Sequence, residues 1–111
     1  MSNMIESLVK NRIFPNEEDV IKTLLGDYII RQIDNQKREI KRFERRYGMS
    51  FERFKEYLHE RSSLLKKGDL SRQERQTLAQ AIMQEEDDWL DWKVAKEMLE
   101  SWLGLRQEGT H

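Results

Sequence analysis

The sequence contains no cysteine, a single proline, two histidines and five glycines in 111 residues. Without cysteine the chain has no disulfide, no thiolate nucleophile and no cysteine-ligated zinc. No run approaches the roughly 20 apolar residues of a membrane span, and the first residues lack the basic and apolar regions of a signal peptide. The formal net charge is −1, so the whole chain exerts no polyelectrolyte attraction on nucleic acid or membranes. We therefore expect a cytoplasmic protein that does not enter a membrane.

Enzymatic motifs are also missing from the sequence. His59 lies on a predicted helix without the second histidine of a metalloprotease helix. There is no glycine-rich phosphate loop, nucleophile elbow or nucleophile–base pair. We predict a non-enzyme that needs neither a cofactor nor a metal.

An acidic run, residues 85–88 with Asp91 beyond it, supplies carboxylates but no metal site. Consecutive helical residues point in different directions, and the alternating ligands and central glycine of an EF-hand loop are absent. The run is either a solvated helix face or an electrostatic match to a basic surface. That surface would lie in this chain or on a partner.

What the sequence does contain is helix-forming residues in long uninterrupted stretches. Charged residues make up 37% of the chain and apolar residues another 37%, and glycine and proline rarely interrupt them. The length fits one domain. We predict an all-α fold of three or four helices in a single domain. Its expected segments are a short helix or arm at 1–13, a long helix at 16–47, a second helix at 50–67, a third at 71–103 and a frayed tail at 104–111.

The long helix at 16–47 dominates this prediction and is expected to be the N-terminal helix of the fold. Asn16 is a good N-cap with acidic residues after it, and Gly48 is a natural stop. Gly26, inside the helix, is either a tolerated glycine or the site of a close helix crossing. A helix of more than about 40 Å exceeds the width of so small a domain. We therefore expect a homo-oligomer in which this helix packs against a copy of itself through Leu25, Ile29, Ile33, Ile40 and Phe43.

The later helices carry the aromatic residues. Ser50 and Ser71 are predicted N-caps, the second with Glu74 three residues on. The third helix either runs without interruption or breaks near 85–88. Its tryptophans belong either to a core or to a contact surface, because tryptophan is common in both.

A basic segment occupies the second half of the long helix. Residues 31–46 include seven basic and three acidic side chains, a local net charge of +4. This pattern fits either a solvated helix face or a surface that follows phosphates. The residues of the possible nucleic-acid face are Arg31, Arg38, Lys41, Arg42, Arg45 and Arg46.

The stretch from Ile40 to Phe54, IKRFERRYGMSFERF, resembles a segment of small prokaryotic antitoxin-like proteins from toxin–antitoxin gene pairs. In those proteins a helix ends in a Tyr-Gly-Met turn and the next helix begins Ser-Phe-Glu. The entry at 14–21 and the acidic-tryptophan pattern at 87–92 are similar to theirs as well. The resemblance covers most of residues 13–103. It implies a protein that masks a toxin-like product of an adjacent gene, often with an N-terminal DNA-binding ribbon-helix-helix.

The N-terminal segment departs from the ribbon-helix-helix pattern. Residues 8–14 alternate poorly between apolar and polar, whereas the ribbon needs a short alternating strand. If a ribbon formed, Lys10 and Arg12 would be its base-facing residues.

We expect a protein-binding module that masks a partner with amphipathic helices. The alternatives are a DNA-binding autoregulator of its own operon, which uses the basic helix face or the N-terminal arm, and a structural helical adaptor. The expected partner contacts are Phe51, Phe54, Leu58, Trp89, Trp92 and Trp102.

Overall fold

The structure, a computed structural model, describes residues 2–108, and this part of the chain is entirely helical with short connections. No strand occurs within it, so the all-α prediction is confirmed. The helices are α1 (Ser2–Lys10), α2 (Glu17–Tyr47), α3 (Phe51–Lys66) and α4 (Arg72–Glu108).

The long predicted helix is not the N-terminal helix, because α1 precedes it. After α1 the chain turns: the Arg12 N–H donates to the Val9 carbonyl and the Ile13 N–H to the Leu8 carbonyl. Arg12 takes a left-handed backbone conformation, with φ at 60°. The segment that a ribbon strand would occupy is thus the end of a helix and a turn. Lys10 and Arg12 do not face bases from a ribbon here.

The ends of α2 follow local sequence chemistry. Asn16 caps its start, where the Asn16 Oδ1 accepts from the Asp19 N–H at 2.9 Å. Three acidic residues in the first turn, Glu17 to Asp19, lie at the positive end of the helix dipole. At the other end Gly48 adopts φ +63° and its N–H donates to the Glu44 carbonyl at 2.7 Å. Glycine takes this conformation without the steric cost that a side chain adds.

Serine hydroxyls start the next two helices. The Ser50 Oγ accepts from the Arg53 N–H, and the Ser71 Oγ accepts from the Glu74 N–H, both at 3.1 Å. The helix α4 has no break at 85–88, and it continues to Glu108, past the predicted end at 103. Gly104 continues the helix, because glycine weakens a helix by only about 1 kcal/mol and does not stop it. The rest of the predicted tail, residues 109–111, lies outside the described residues.

The chain divides into two compact units, and each is described separately. Of the described residues, 2–35 and 99–108 form the first unit and Gln36–Met98 forms the second. In the first unit Val20 and Ile33 are buried. Tyr28 and Trp102 make an edge-to-face contact, with their ring centroids 5.7 Å apart.

The second unit is built around Trp92. The rings of Phe43, Phe51 and Phe54 lie with their centroids 5.5 to 5.7 Å from the Trp92 ring. Such offset and edge contacts add to the free energy of burial. The buried cluster and the half-buried side chains packed against it are Phe43, Phe54, Leu58, Trp92, Ile40, Tyr47, Met49, Phe51, Tyr57 and Trp89.

Gly26 has open space around it. A Cβ built there meets no atom of the described chain within 4 Å, outside its immediate helical neighbours, so the chain contains no close helix crossing at this glycine. Gly26→Ala is expected to raise the free energy of unfolding by about 0.5–1 kcal/mol, because alanine loses less backbone entropy in a helix. Urea unfolding followed by circular dichroism measures this. Gly48→Ala is the matched control and should destabilise, since φ there is positive; a stabilising Gly48→Ala would contradict the argument.

Candidate functional site

The predicted partner contacts are mostly covered by the chain itself. Phe54, Leu58 and Trp92 are 0%, 8% and 1% exposed. Their assignment as partner contacts is corrected, since side chains this deeply buried have little surface left for a partner. Phe51 and Trp89 are half-buried against the same cluster.

Trp102, in the other unit, is also half-buried. Trp92, by contrast, is 1% exposed and so belongs to the core and not to a contact surface.

The predicted oligomer interface is corrected in the same way. Ile33 and Phe43 are 2% and 0% exposed, so they are unavailable to a copy. Ile40 packs against the aromatic cluster and Ile29 is half-buried. Leu25 alone of the five is exposed, at 56%. The five residues lie on one side of α2, within an arc of about 80°, because successive helical residues are about 100° apart. The chain itself covers the later part of this side, whereas Leu25, near its start, stays exposed.

Four of the apolar side chains that α2 exposes form a stripe near its start, while Ile30, 51% exposed, points in another direction. The members of the stripe follow the spacing i, i+3, i+4 and i+7, which places them on one helix face. Each is 46% to 56% exposed. We call this set, Ile21, Leu24, Leu25 and Tyr28, the α2 stripe.

The acidic run is divided between inside and outside by helical geometry. Glu85 and Asp88 are three residues apart and face inward, while Glu86 and Asp87 between them are exposed. Asp88, only 6% exposed, accepts a hydrogen bond from the Tyr47 hydroxyl. Its carboxylate lies 3.3 Å from the Arg46 guanidinium. One residue of the acidic run, Asp88, thus forms an ion pair with the basic segment of its own chain.

Glu85 makes the second inward ion pair, with Arg61 Nη2 at 2.9 Å. Both side chains are largely covered, at 14% and 24% exposed. Burial raises the pKa of Glu85 above its usual value, and the Arg61 charge opposes that shift. The ion pairs of Glu85 and Asp88 hold α4 against α3 and the end of α2, so they are structural contacts of the second unit.

Tyr47 links this polar network to the aromatic core. Burial raises the pKa of the Tyr47 hydroxyl, and the hydrogen bond that it donates to Asp88 raises it further. The folded state therefore retains the Tyr47 proton more strongly than the unfolded chain does. Stability from this group is fully present below about pH 10, the unfolded pKa, and is lost as the pH rises above it.

We expect the urea midpoint of the wild-type protein to fall more steeply between about pH 9 and pH 11, one unit either side of the unfolded tyrosine pKa, than that of Tyr47→Phe. The variant has no phenol to ionise at this position. Parallel urea titrations across this range measure the difference. Identical pH profiles would show that the Tyr47 proton does not stabilise the fold.

An exposed face of α4 combines apolar and acidic side chains. Met83, Leu90 and Val94 are 66%, 51% and 54% exposed, and Glu86 and Asp87 lie exposed among them. We call these five residues the α4 face. Beside it a groove of about 290 Å³ lies between α3 and α4, lined by Lys55, Leu58, His59, Ser62, Glu86, Trp89 and Leu90.

The basic segment of α2 forms a groove of about 530 Å³ in the second unit. Its side chains are exposed. Arg42 binds Glu39 on the same helix at 3.2 Å, and Arg46 binds Asp88. Arg31 belongs to the other unit and does not line this groove. We call the lining residues, Arg38, Lys41, Arg42, Arg45 and Arg46, the basic groove.

Residues 2–108 contain neither a metal-binding cluster nor a membrane-spanning helix. No group of three or more histidine or acidic side chains is placed to hold a metal ion there. None of the helices in this range has the length and apolar character of a membrane span. His59 lines the groove between α3 and α4. Three surfaces of the described residues group apolar or charged side chains: the α2 stripe, the α4 face with its groove, and the basic groove.

Sequence reasoning did not single out the α4 face or the α2 stripe as units. The signal was present in the spacing of exposed positions, but it is visible only once the inward face of each helix is known. Comparison with known proteins adds no further site: no family model, curated protein or solved structure matches this chain.

Proposed function

We propose that this protein is a non-enzymatic, antitoxin-like binding module whose α4 face covers an apolar surface of a partner protein. The observation that carries the proposal is the exposure of Met83, Leu90 and Val94 on one helix. Large apolar side chains grouped on a surface are a common mark of protein interfaces. The resemblance of the Tyr47-Gly48-Met49 turn to antitoxin-like proteins supports the same class of function.

The chemistry of the α4 face defines the partner. Glu86 and Asp87 border its apolar side chains, and Asp91 and Glu97 extend the negative charge along the helix. A complementary surface presents an apolar cleft with lysine or arginine at its rim. We propose that the partner is a toxin-like protein encoded by an adjacent gene and met in the cytoplasm. Self-association through α2 is the second part of the proposal.

The test is capture of the adjacent gene product, co-expressed in the same cells, by tagged full-length protein. Leu90→Glu and Val94→Glu should abolish the capture, because a carboxylate then enters an apolar contact. Leu64→Glu is the matched control, since Leu64 is equally exposed, at 50%, but lies on α3. All three variants should keep the wild-type helical content. Recovery of the tagged protein alone, or equal capture by all variants, would contradict the proposal.

The basic groove favours a second candidate function, binding of nucleic acid by an autoregulator. Five cationic side chains line one groove, and such a cluster attracts phosphates. The test is a gel shift on the DNA upstream of its own gene at several salt concentrations. We expect Lys41→Glu with Arg45→Glu to abolish the shift and Lys66→Glu to preserve it. A double charge reversal that leaves the wild-type affinity intact, or no shift at low salt, would remove this candidate.

A further inference from the structure

We propose that the α2 stripe binds the same stripe of a second copy of this chain, with the two α2 helices antiparallel. This inference rests on the self-association proposed above. It gives that association a surface, an orientation and a register. It does not involve the α4 face or the basic groove.

The surface is suited to a helix–helix contact. The four side chains of the α2 stripe lie on one face of the helix and are about half exposed. The buried α2 side chains of this unit are other residues, Val20 and Ile33, and the Tyr28 ring keeps 53% of its surface exposed beside its edge-to-face contact with Trp102. A copy can therefore cover the stripe without any rearrangement of the buried side chains.

The register follows from the symmetry of the stripe. Its midpoint lies between Leu24 and Leu25, and Ile21 and Tyr28 lie equally far on either side. An antiparallel two-fold contact centred there places Ile21 opposite Tyr28 of the second copy and Leu24 opposite Leu25. Such an isologous contact uses the same patch on both subunits and closes after two.

Charge at the two ends of the stripe selects the antiparallel orientation. Glu18 precedes the midpoint by as many residues as Arg31 follows it, and Glu17 lies one residue further out. The Glu18 carboxylate also lies 3.4 Å from Lys22 Nζ on its own helix. Glu17 is the second carboxylate at this end of the stripe. In the antiparallel dimer these acidic residues meet Arg31 of the second copy at both ends. A parallel dimer would place like charges together, and like charges across an interface are unfavourable.

The first experiment measures the molar mass of the full chain by light scattering. We expect twice the 13.5 kDa of one chain for the wild type. Leu24→Glu with Leu25→Glu should raise the dimer dissociation constant at least about 100-fold, because four carboxylates then enter the apolar contact. Leu90→Glu with Val94→Glu, on α4, should leave the mass unchanged. A monomeric wild type, or a stable dimer of the α2 double variant, would overturn the inference.

The second experiment tests orientation, and the absence of native cysteine makes it specific. An equal mixture of Ile21→Cys and Tyr28→Cys proteins, oxidised after subunit exchange, should give a covalent dimer. Ile21→Cys protein alone should give little cross-linking, because residue 21 does not meet residue 21 of the copy. Cross-linking of Ile21→Cys alone would show a parallel dimer and overturn the proposed orientation.

The charge reversal gives an independent readout of the same register. Arg31→Glu alone should weaken the dimer, and adding Glu17→Lys with Glu18→Lys should restore it, since opposite charges again meet. No restoration would refute the assigned register. Capture of the adjacent gene product is measured separately, so failure of the dimer and failure of the proposed partner function give different results.

Discussion

Trp92→Ala is expected to lower the free energy of unfolding by about 3–5 kcal/mol, the usual cost of truncating a buried aromatic residue. Trp92 is 1% exposed and contacts three phenylalanine rings of the second unit. Its loss leaves a cavity among phenylalanine rings that come from α2 and α3. Because a domain of this size is stable by only about 5–15 kcal/mol, the variant should be close to unfolded at 37 °C.

The measurement is urea unfolding followed by circular dichroism, and two variants make it decisive. Val94→Ala lies two residues away on the exposed side of α4 and should cost less than about 1 kcal/mol. Trp92→Phe retains a ring and removes an indole N–H that has no acceptor among the described residues. It should cost clearly less than Trp92→Ala. Equal costs for Trp92→Ala and Val94→Ala would mean that Trp92 is not the centre of the core.

Asp88→Ala is expected to lower the free energy of unfolding by about 1–3 kcal/mol, the penalty for leaving a buried polar group without its partner. Its carboxylate accepts from the Tyr47 hydroxyl and pairs with Arg46. The Arg46 side chain is half exposed, so solvent screening makes that ion pair the smaller contribution. Most of the loss should come from the hydrogen bond between α2 and α4.

A double-mutant cycle of Asp88→Ala with Tyr47→Phe separates the two contributions. The coupling between the two residues should lie at about 0.5–3 kcal/mol, as for other residues in direct contact. Asp87→Ala is the matched control, since Asp87 is exposed and adjacent in sequence. Its cost should be within about 0.5 kcal/mol. Additive effects of the two mutations would show that the hydrogen bond does not stabilise the fold.

The segment that carries the family resemblance has a structural role in this protein. Phe43, Tyr47, Met49 and Phe54 belong to or pack against the aromatic cluster, and Gly48 supplies the left-handed turn between α2 and α3. The motif thus specifies how these two helices meet around Trp92. Its resemblance to antitoxin-like proteins supports the proposed class of function but does not mark the contact surface.

The candidate surfaces were harder to predict than the helices. Ile33 and Leu25 lie on one side of α2, so spacing alone does not distinguish Ile33, which is buried, from Leu25, which is exposed. The basic segment was recognisable as charge. Five of its residues, between Arg38 and Arg46, line one groove. This arrangement was not predictable from the sequence, because it depends on which side of α2 packs against the core.

The sequence by itself determined the helical class and most helix ends, because capping residues, positive-φ glycines and helical periodicity act over a few residues. It also placed the charges of the acidic run and the basic segment. Only the tertiary structure decided which of these residues are covered. That choice depends on contacts such as the one between Tyr47 and Asp88, which lie 41 residues apart. Packing of one helix on another leaves one face of each exposed, and those exposed faces are the surfaces available for recognition.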